Sequence, residues 1–217
     1  MMRKTLMFLF VGFVCVLLTS SAFADPPAKF SFKGLSADTQ CYVSKEDWCV
    51  FEEAYVTGFD QTMRDGKDKS TRQVVSVFIA VSNYCTWAFS YKYGDRDLTP
   101  GELTIDKNLH SGSLNASGVK VCDPWTGVCD SVDVDMSWDA LGGPHEFKGQ
   151  FSSKTPWYEN RQKFDSTWQP SLVAGTLTDA VENDLLAGSV CYGSMSDSKS
   201  NYRSRNYLFP ESPLLSK

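Results

Sequence analysis

Histidine is nearly absent from this chain: His110 and His145 are the two in 217 residues. Little imidazole is therefore available as a general base or a metal ligand. Helical patterning is missing too, because no segment sustains a 3.6-residue apolar period between caps. Cations do not cluster along the sequence. The 21 Lys and Arg are outnumbered by 26 Asp and Glu, for a formal net charge of −5. No basic patch of the kind that holds nucleic acid stands out, so no nucleic-acid partner is expected. Beyond the first two dozen residues no apolar run is long enough to span a bilayer, so no transmembrane segment is expected in the mature chain.

What is present begins with the amino terminus. Arg3 and Lys4 precede an apolar run from Leu6 to Leu18, and Ala22-Phe23-Ala24 follows. A basic stretch, a short apolar core and a small-x-small site have the form of a secretory signal peptide. The apolar core is shorter than a membrane span and runs into Thr19, Ser20 and Ser21. Residues 1–24 are thus expected to be removed, giving a protein secreted to the extracellular space or the periplasm. Cleavage leaves 193 of the 217 residues and takes two cations, moving the net charge to −7. A chain of this size can fold as one domain that buries roughly 70% of its unfolded surface.

Cysteine usage agrees with export. Cys15 leaves with the leader, so Cys41, Cys49, Cys85, Cys122, Cys129 and Cys191 remain, an even number suited to an oxidising compartment. The stretch Val119–Trp138 narrows their pairing. Val119 and Val121 alternate with polar residues, as do Val132, Val134, Met136 and Trp138, and the turn formers Asp123–Gly127 lie between. Closing a hairpin on Pro124–Gly127 sets Cys122 opposite Cys129 and Val119 opposite Val132, with valines on one face and cysteines on the other. Opposed residues of a non-hydrogen-bonded pair lie about 4.5 Å apart at Cα, which a disulfide spans. A loop this small should add roughly 2–3 kcal/mol. A redox dithiol would want Cys-x-x-Cys at a helix start, and a zinc site two close pairs of Cys or His; neither pattern occurs.

Other segments read as strands. Val74–Ser82 is a β-branched run, and Tyr84–Tyr93 alternates with Cys85, Trp87, Phe89, Tyr91 and Tyr93 on one apolar face. That pattern predicts a core position for Trp87, as for Trp138, and a buried disulfide at Cys85. Trp48–Phe59, Gly101–Lys107, His145–Ser152, Ser171–Thr178 and Leu185–Gly193 are further strand candidates. Asp65-Gly66, Gly94-Asp95, Pro100-Gly101, Gly142-Gly143-Pro144 and Asp179–Asp184 supply turns between them. Many short strands with dense punctuation predict an all-β fold, a single antiparallel sandwich or barrel domain over 25–193. Residues 194–217 read as an edge strand or a loose polar tail.

The order "WCVFEEAYV", "VSNYCTW", "LTIDKNLHSGSLNASGVKV", "VDVDMSW" before "DALGGP", and "LVAGTLTD" resembles a group of uncharacterised secreted bacterial all-β proteins, over Trp48 to Cys191. The resemblance implies a β fold, export and a pairing of Cys49 with Cys85, after which Cys41 and Cys191 remain for each other. It implies no activity, and in that group the Cys122–Cys129 pair is a local addition.

Catalytic motifs do not emerge. No Gly-x-Ser-x-Gly elbow and no phosphate-binding glycine loop occurs. Ser117–Lys120 matches Ser-x-x-Lys, but in a strand rather than at a helix start. His145-Glu146 lacks a nucleophile. Carboxylate chemistry of the glycosidase kind is the alternative function, that of a secreted carboxylate-dependent hydrolase, although no two carboxylates single themselves out. Asp133, Asp135 and Asp139 share a strand face and, without a calcium-loop pattern, read as a solvated surface. No metal and no cofactor is implied. Asn115-Ala-Ser117 fits a glycosylation sequon within a strand. Aromatics remain as contact candidates: Trp125 at the hairpin tip, and Trp157 and Tyr158 after Pro156, could stack on a glycan or anchor a surface protein. The sequence therefore favours an exported non-catalytic β domain, a binding module or a structural component of the envelope or extracellular matrix.

Overall fold

The computed structural model describes residues 28–45, 48–156 and 158–206. The expected leader and cleavage site, residues 1–24, lie outside the described residues, as do Trp157 and the end of the chain beyond residue 206. Ten strands account for most of the rest: β1 (Ala28–Lys45), β2 (Val50–Asp65), β3 (Asp68–Asn83), β4 (Ala88–Asp97), β5 (Leu103–Ile105), β6 (Ser111–Cys122), β7 (Cys129–Ala140), β8 (His145–Lys154), β9 (Tyr158–Asp179) and β10 (Val190–Asn206). All pairings are antiparallel and belong to one sheet ordered β10-β1-β2-β3-β4-β6-β7-β9-β8. β10 also pairs with β9, so the hydrogen-bonded path returns on itself and the sheet is ring-like.

The ring closes where β9 changes partners. Its first half lies between β8 and β10, and its second half, from Ser171, pairs with β7. The opposite seam is narrow, because β4 and β6 pair only at Tyr93 and Cys122. Gly94 makes this approach possible: a Cβ there would stand 1.8 Å from the carbonyl oxygen of Lys120. Only glycine lets two backbones come so close.

One face of most strands fills the interior, β4 and β8 contributing no buried side chain. Ala37, Val56, Val75, Val77, Leu114, Val119, Val132, Val134, Leu177 and Met195 are all buried there. Trp138 is 0% exposed. It reaches across from β7, and its indole N–H donates to the backbone carbonyl of Asp38 at 3.1 Å, satisfying the polar atom of a buried ring. Gly112 and Gly193 leave room for that ring: a Cβ on either would come within 3.5 Å of it.

The 119–138 hairpin has the register derived from its sequence, with Val119 opposite Val132, Val121 opposite Asp130 and Cys122 opposite Cys129. Asp123 organises the turn. Its carboxylate accepts the N–H groups of Trp125 and Thr126 at 2.8 and 2.9 Å, and Gly127 takes the left-handed conformation, φ 71°. Three cysteine pairs stand at bonding distance: Cys41 with Cys191 (Sγ–Sγ 2.05 Å), Cys49 with Cys85 (1.98 Å) and Cys122 with Cys129 (2.11 Å). Such bonds belong to an oxidising, non-cytosolic compartment.

Four expectations are corrected. Tyr84–Trp87 is a turn between β3 and β4, so Trp87 is 86% exposed rather than core, and Cys85 is exposed rather than buried. The alternation beginning at Tyr84 was interrupted by that turn, and its remainder, Phe89, Tyr91 and Tyr93, lies on the outer face of β4. Gly94-Asp95 is no turn; it lies within β4, where the glycine serves backbone approach. Ser194–Asn206 is neither edge nor tail, since β10 pairs with β1 on one side and β9 on the other. Strand β1 and the first half of β9 went unrecognised because their polar faces mix cations, serines and carboxylates without clean alternation.

Candidate functional site: an exposed aromatic face

The outer face of β1–β4 carries side chains that a core would ordinarily claim. In register across the strands, Gln40 of β1 stands beside Tyr55 of β2, Phe78 of β3 and Tyr93 of β4. Gln40 donates to the Tyr55 hydroxyl at 2.7 Å. Burial pushes the Tyr55 phenol up, and the Glu53 carboxylate beside it adds to the effect. Ring contacts continue without a break. Tyr55 meets Phe78 at 5.7 Å, Phe78 stacks on Tyr91 at 5.5 Å, and Tyr91 touches both Phe89 and Tyr93.

Trp125 completes the row from a different element. The stapled hairpin tip carries it over β4, where its ring meets Tyr91 at 4.7 Å and 78° and Phe89 at 6.5 Å. It is nonetheless 65% exposed. The hairpin is held in place beside β4 by the Tyr93–Cys122 pairing and by an ion pair between Lys92 and Asp130. A disulfide at Cys122–Cys129 limits how far the tip can move.

Two more tryptophans stand at this end of the sheet. Trp48 (φ 71°) and Trp87 (φ 59°), flanking the Cys49–Cys85 pair, both hold the left-handed backbone conformation. A residue with a Cβ pays roughly 1–2 kcal/mol for that geometry. Neither gains burial in return, being 77% and 86% exposed. Both lie in turns, where a left-handed residue serves the chain reversal.

The three aromatics singled out from the sequence are not brought together. Trp125 belongs to this face. Tyr158 begins β9 opposite Asn206, near the first residues of β1, whereas Tyr91 beneath Trp125 is in register with Ala80 and Glu53 toward the other end of β2 and β3. Trp157 is outside the described residues. Tyr55, Phe78, Phe89, Tyr91 and Tyr93 were missed as contact candidates. Period-two alternation of aromatics marked β4, but that pattern is the same for a buried face and for an exposed one.

Catalytic candidates stay dispersed. His145 tilts against Trp168 at 5.5 Å, on the β8 side of the sheet. His110 Nδ1 lies 3.3 Å from Asp106 in the β5–β6 turn. Ser117 sits at the β6 irregularity, and Asp133 there accepts the Gly118 N–H at 2.7 Å. Asp133, Asp135 and Asp139 are exposed, and among the described residues no three His, Cys, Asp or Glu side chains converge. Among the described residues no helix is long and apolar enough to cross a membrane.

Comparison with known proteins adds little. No family description and no curated protein matches the chain. Among solved structures, one provisionally named AttH, from Nitrosomonas europaea, is similar at 8% identity and a TM-score of 0.31 over 82% of this chain. The chain spans about half of that protein, 52% of its length. An acetoacetate decarboxylase-like enzyme from Sphingomonas wittichii is similar at 8% identity and a TM-score of 0.28, over 87% of this chain and 93% of that one. Likenesses so distant carry no argument about this protein.

Proposed function

We propose that this is an exported, non-catalytic β domain that binds a glycan across the aromatic face ending at Trp125. The observation that carries the reading is the unbroken run of ring contacts from Tyr55 through Phe78 and Tyr91 to a largely exposed Trp125. Sugars present apolar C–H faces ringed by hydroxyls. They are held by aromatic surfaces with hydrogen-bonding groups beside them. Gln40 and Glu53 stand beside the row as such groups, and the Lys92–Asp130 pair lies next to the hairpin. The cysteine pairs and the leader-like amino terminus support an exported location, where extracellular or envelope polysaccharide is met. A glycan array probed with the secreted chain and with Trp125→Ala tests this. Wild type should retain defined glycans and the variant should lose them. Equal retention by both, or retention by neither, overturns the reading.

A further inference from the structure

At the other end of the sheet the interior face changes character. Leu35, Ala37 and Met195 give way along β1, β10 and β9 to a cleft of about 440 Å³ whose walls carry Lys29, Arg64, Arg161, Lys163 and Arg203. We propose that this cleft binds a ligand carrying two or more phosphate or sulfate groups. It is a second site, distinct in chemistry and position from the aromatic face.

The register supplies the first argument. Lys29 of β1 stands directly opposite Arg203 of β10, and Arg203 stands directly opposite Arg161 of β9. Three cations thus form one row across three adjacent strands, spaced about 4.8 Å apart. The next row on the same face sets Arg64 opposite Ser31, Ser31 opposite Asn201, and Asn201 opposite Lys163. Like charges facing each other across strands cost stability. This arrangement is unfavourable in the empty protein and becomes favourable with anions between the side chains.

The second argument is the scarcity of internal counterions. Arg161 has Glu159 at 2.7 Å. Among the described residues, no carboxylate lies within ion-pair distance of Lys29, Arg64, Lys163 or Arg203. In a chain with an excess of acidic residues, four cations in one concavity with no acidic partner among the described residues are a departure from the general charge pattern. Carboxylates are present nearby, but they serve other cations: Asp197 pairs with Lys199, and Lys148 lies between Glu146 and Asp165.

Chemistry supplies the third. Guanidinium groups match tetrahedral oxyanions with paired N–H donors, and three of the five cations are arginines. The Lys29–Arg203–Arg161 row spans about 10 Å at Cα, so one group cannot satisfy it and a ligand with several can. Asn201 and Ser31, between the two rows, offer neutral hydrogen bonds.

The test is calorimetric titration of the secreted chain at low salt with inorganic tripolyphosphate and, separately, sucrose octasulfate. Inorganic phosphate serves as the single-anion control. One equivalent of at least one polyanion should bind, inorganic phosphate should bind at least tenfold more weakly, and which polyanion binds identifies the group. Arg203→Ser and Arg161→Ser should each weaken binding at least tenfold, while Lys107→Ser, at the exposed β5–β6 turn, should leave it unchanged. Because the row is self-repulsive, Arg203→Ser should also raise the melting temperature of the ligand-free protein or leave it unaltered. Absence of binding by either polyanion, equal weakening by Lys107→Ser, or a lower melting temperature for Arg203→Ser with binding intact would each overturn the proposal.

Discussion

Trp125 meets Tyr91 nearly edge to face, 4.7 Å between ring centres and 78° between planes, although 34 residues and two strands separate them in the chain. The contact seats the tip of one hairpin on the outer face of a strand from another. It leaves most of the indole in solvent. Trp125→Ala should therefore lose only the edge contacts, about 0.5–1.5 kcal/mol, far from the roughly 3–5 kcal/mol of a core tryptophan. Glycan binding should weaken by about 1–3 kcal/mol. Paired thermal melts and affinity measurements check both, with Trp138→Ala as the buried comparison.

The three cysteine pairs close loops of very different length. Cys41–Cys191 spans 150 residues and ties β1 to β10, whereas Cys122–Cys129 spans 7. Loop-closure entropy assigns about 5 kcal/mol to the first and about 2–3 kcal/mol to the second. Cys41→Ala with Cys191→Ala should lower the denaturation midpoint more than Cys122→Ala with Cys129→Ala. Peptide mapping without reductant should recover the three pairs, and a free thiol at Cys122 or Cys129 would refute the hairpin staple.

Glu102 should give the protein an acid-sensitive contribution. The Arg96 guanidinium, at 2.7 Å, and the Thr99 backbone N–H, at 2.6 Å, hold its carboxyl down at about 2, against an ordinary value of 4.5. A depressed carboxyl stabilises the fold above its unfolded value, and that stabilisation disappears as pH falls toward the folded one. Glu102→Gln should be less stable than wild type at neutral pH, with the difference shrinking between about 4.5 and about 2. Melts across that range test it, and a constant difference would count against the ion pair.

Gly94→Ala should open the β4–β6 seam. The added methyl would press on the Lys120 backbone, which cannot rotate away as a side chain could. A loss of about 1–3 kcal/mol is expected. Gly66→Ala, where a Cβ meets nothing within 4 Å, should cost less, chiefly through its left-handed φ of 58°. Denaturant midpoints of the two variants give the ranking.

The sequence by itself determined the local events whose causes are local. Alternating valines flanking Asp123–Gly127 specify a hairpin and its register, and the register places Cys122 against Cys129. Trp138 was legible as core from its place in the same alternation. Other things could be decided only by tertiary structure. Period two says that Phe89, Tyr91 and Tyr93 share a face; which face meets the interior depends on β3 and β6 filling the core with Val75, Val77 and Val121 first. Lys29, Arg64, Arg161, Lys163 and Arg203 lie in four separate stretches of sequence, none a basic run, and become one cleft only when β10 inserts between β1 and β9. Charge and aromatic clusters of this kind are products of strand order, and strand order is set by which apolar faces can be buried together.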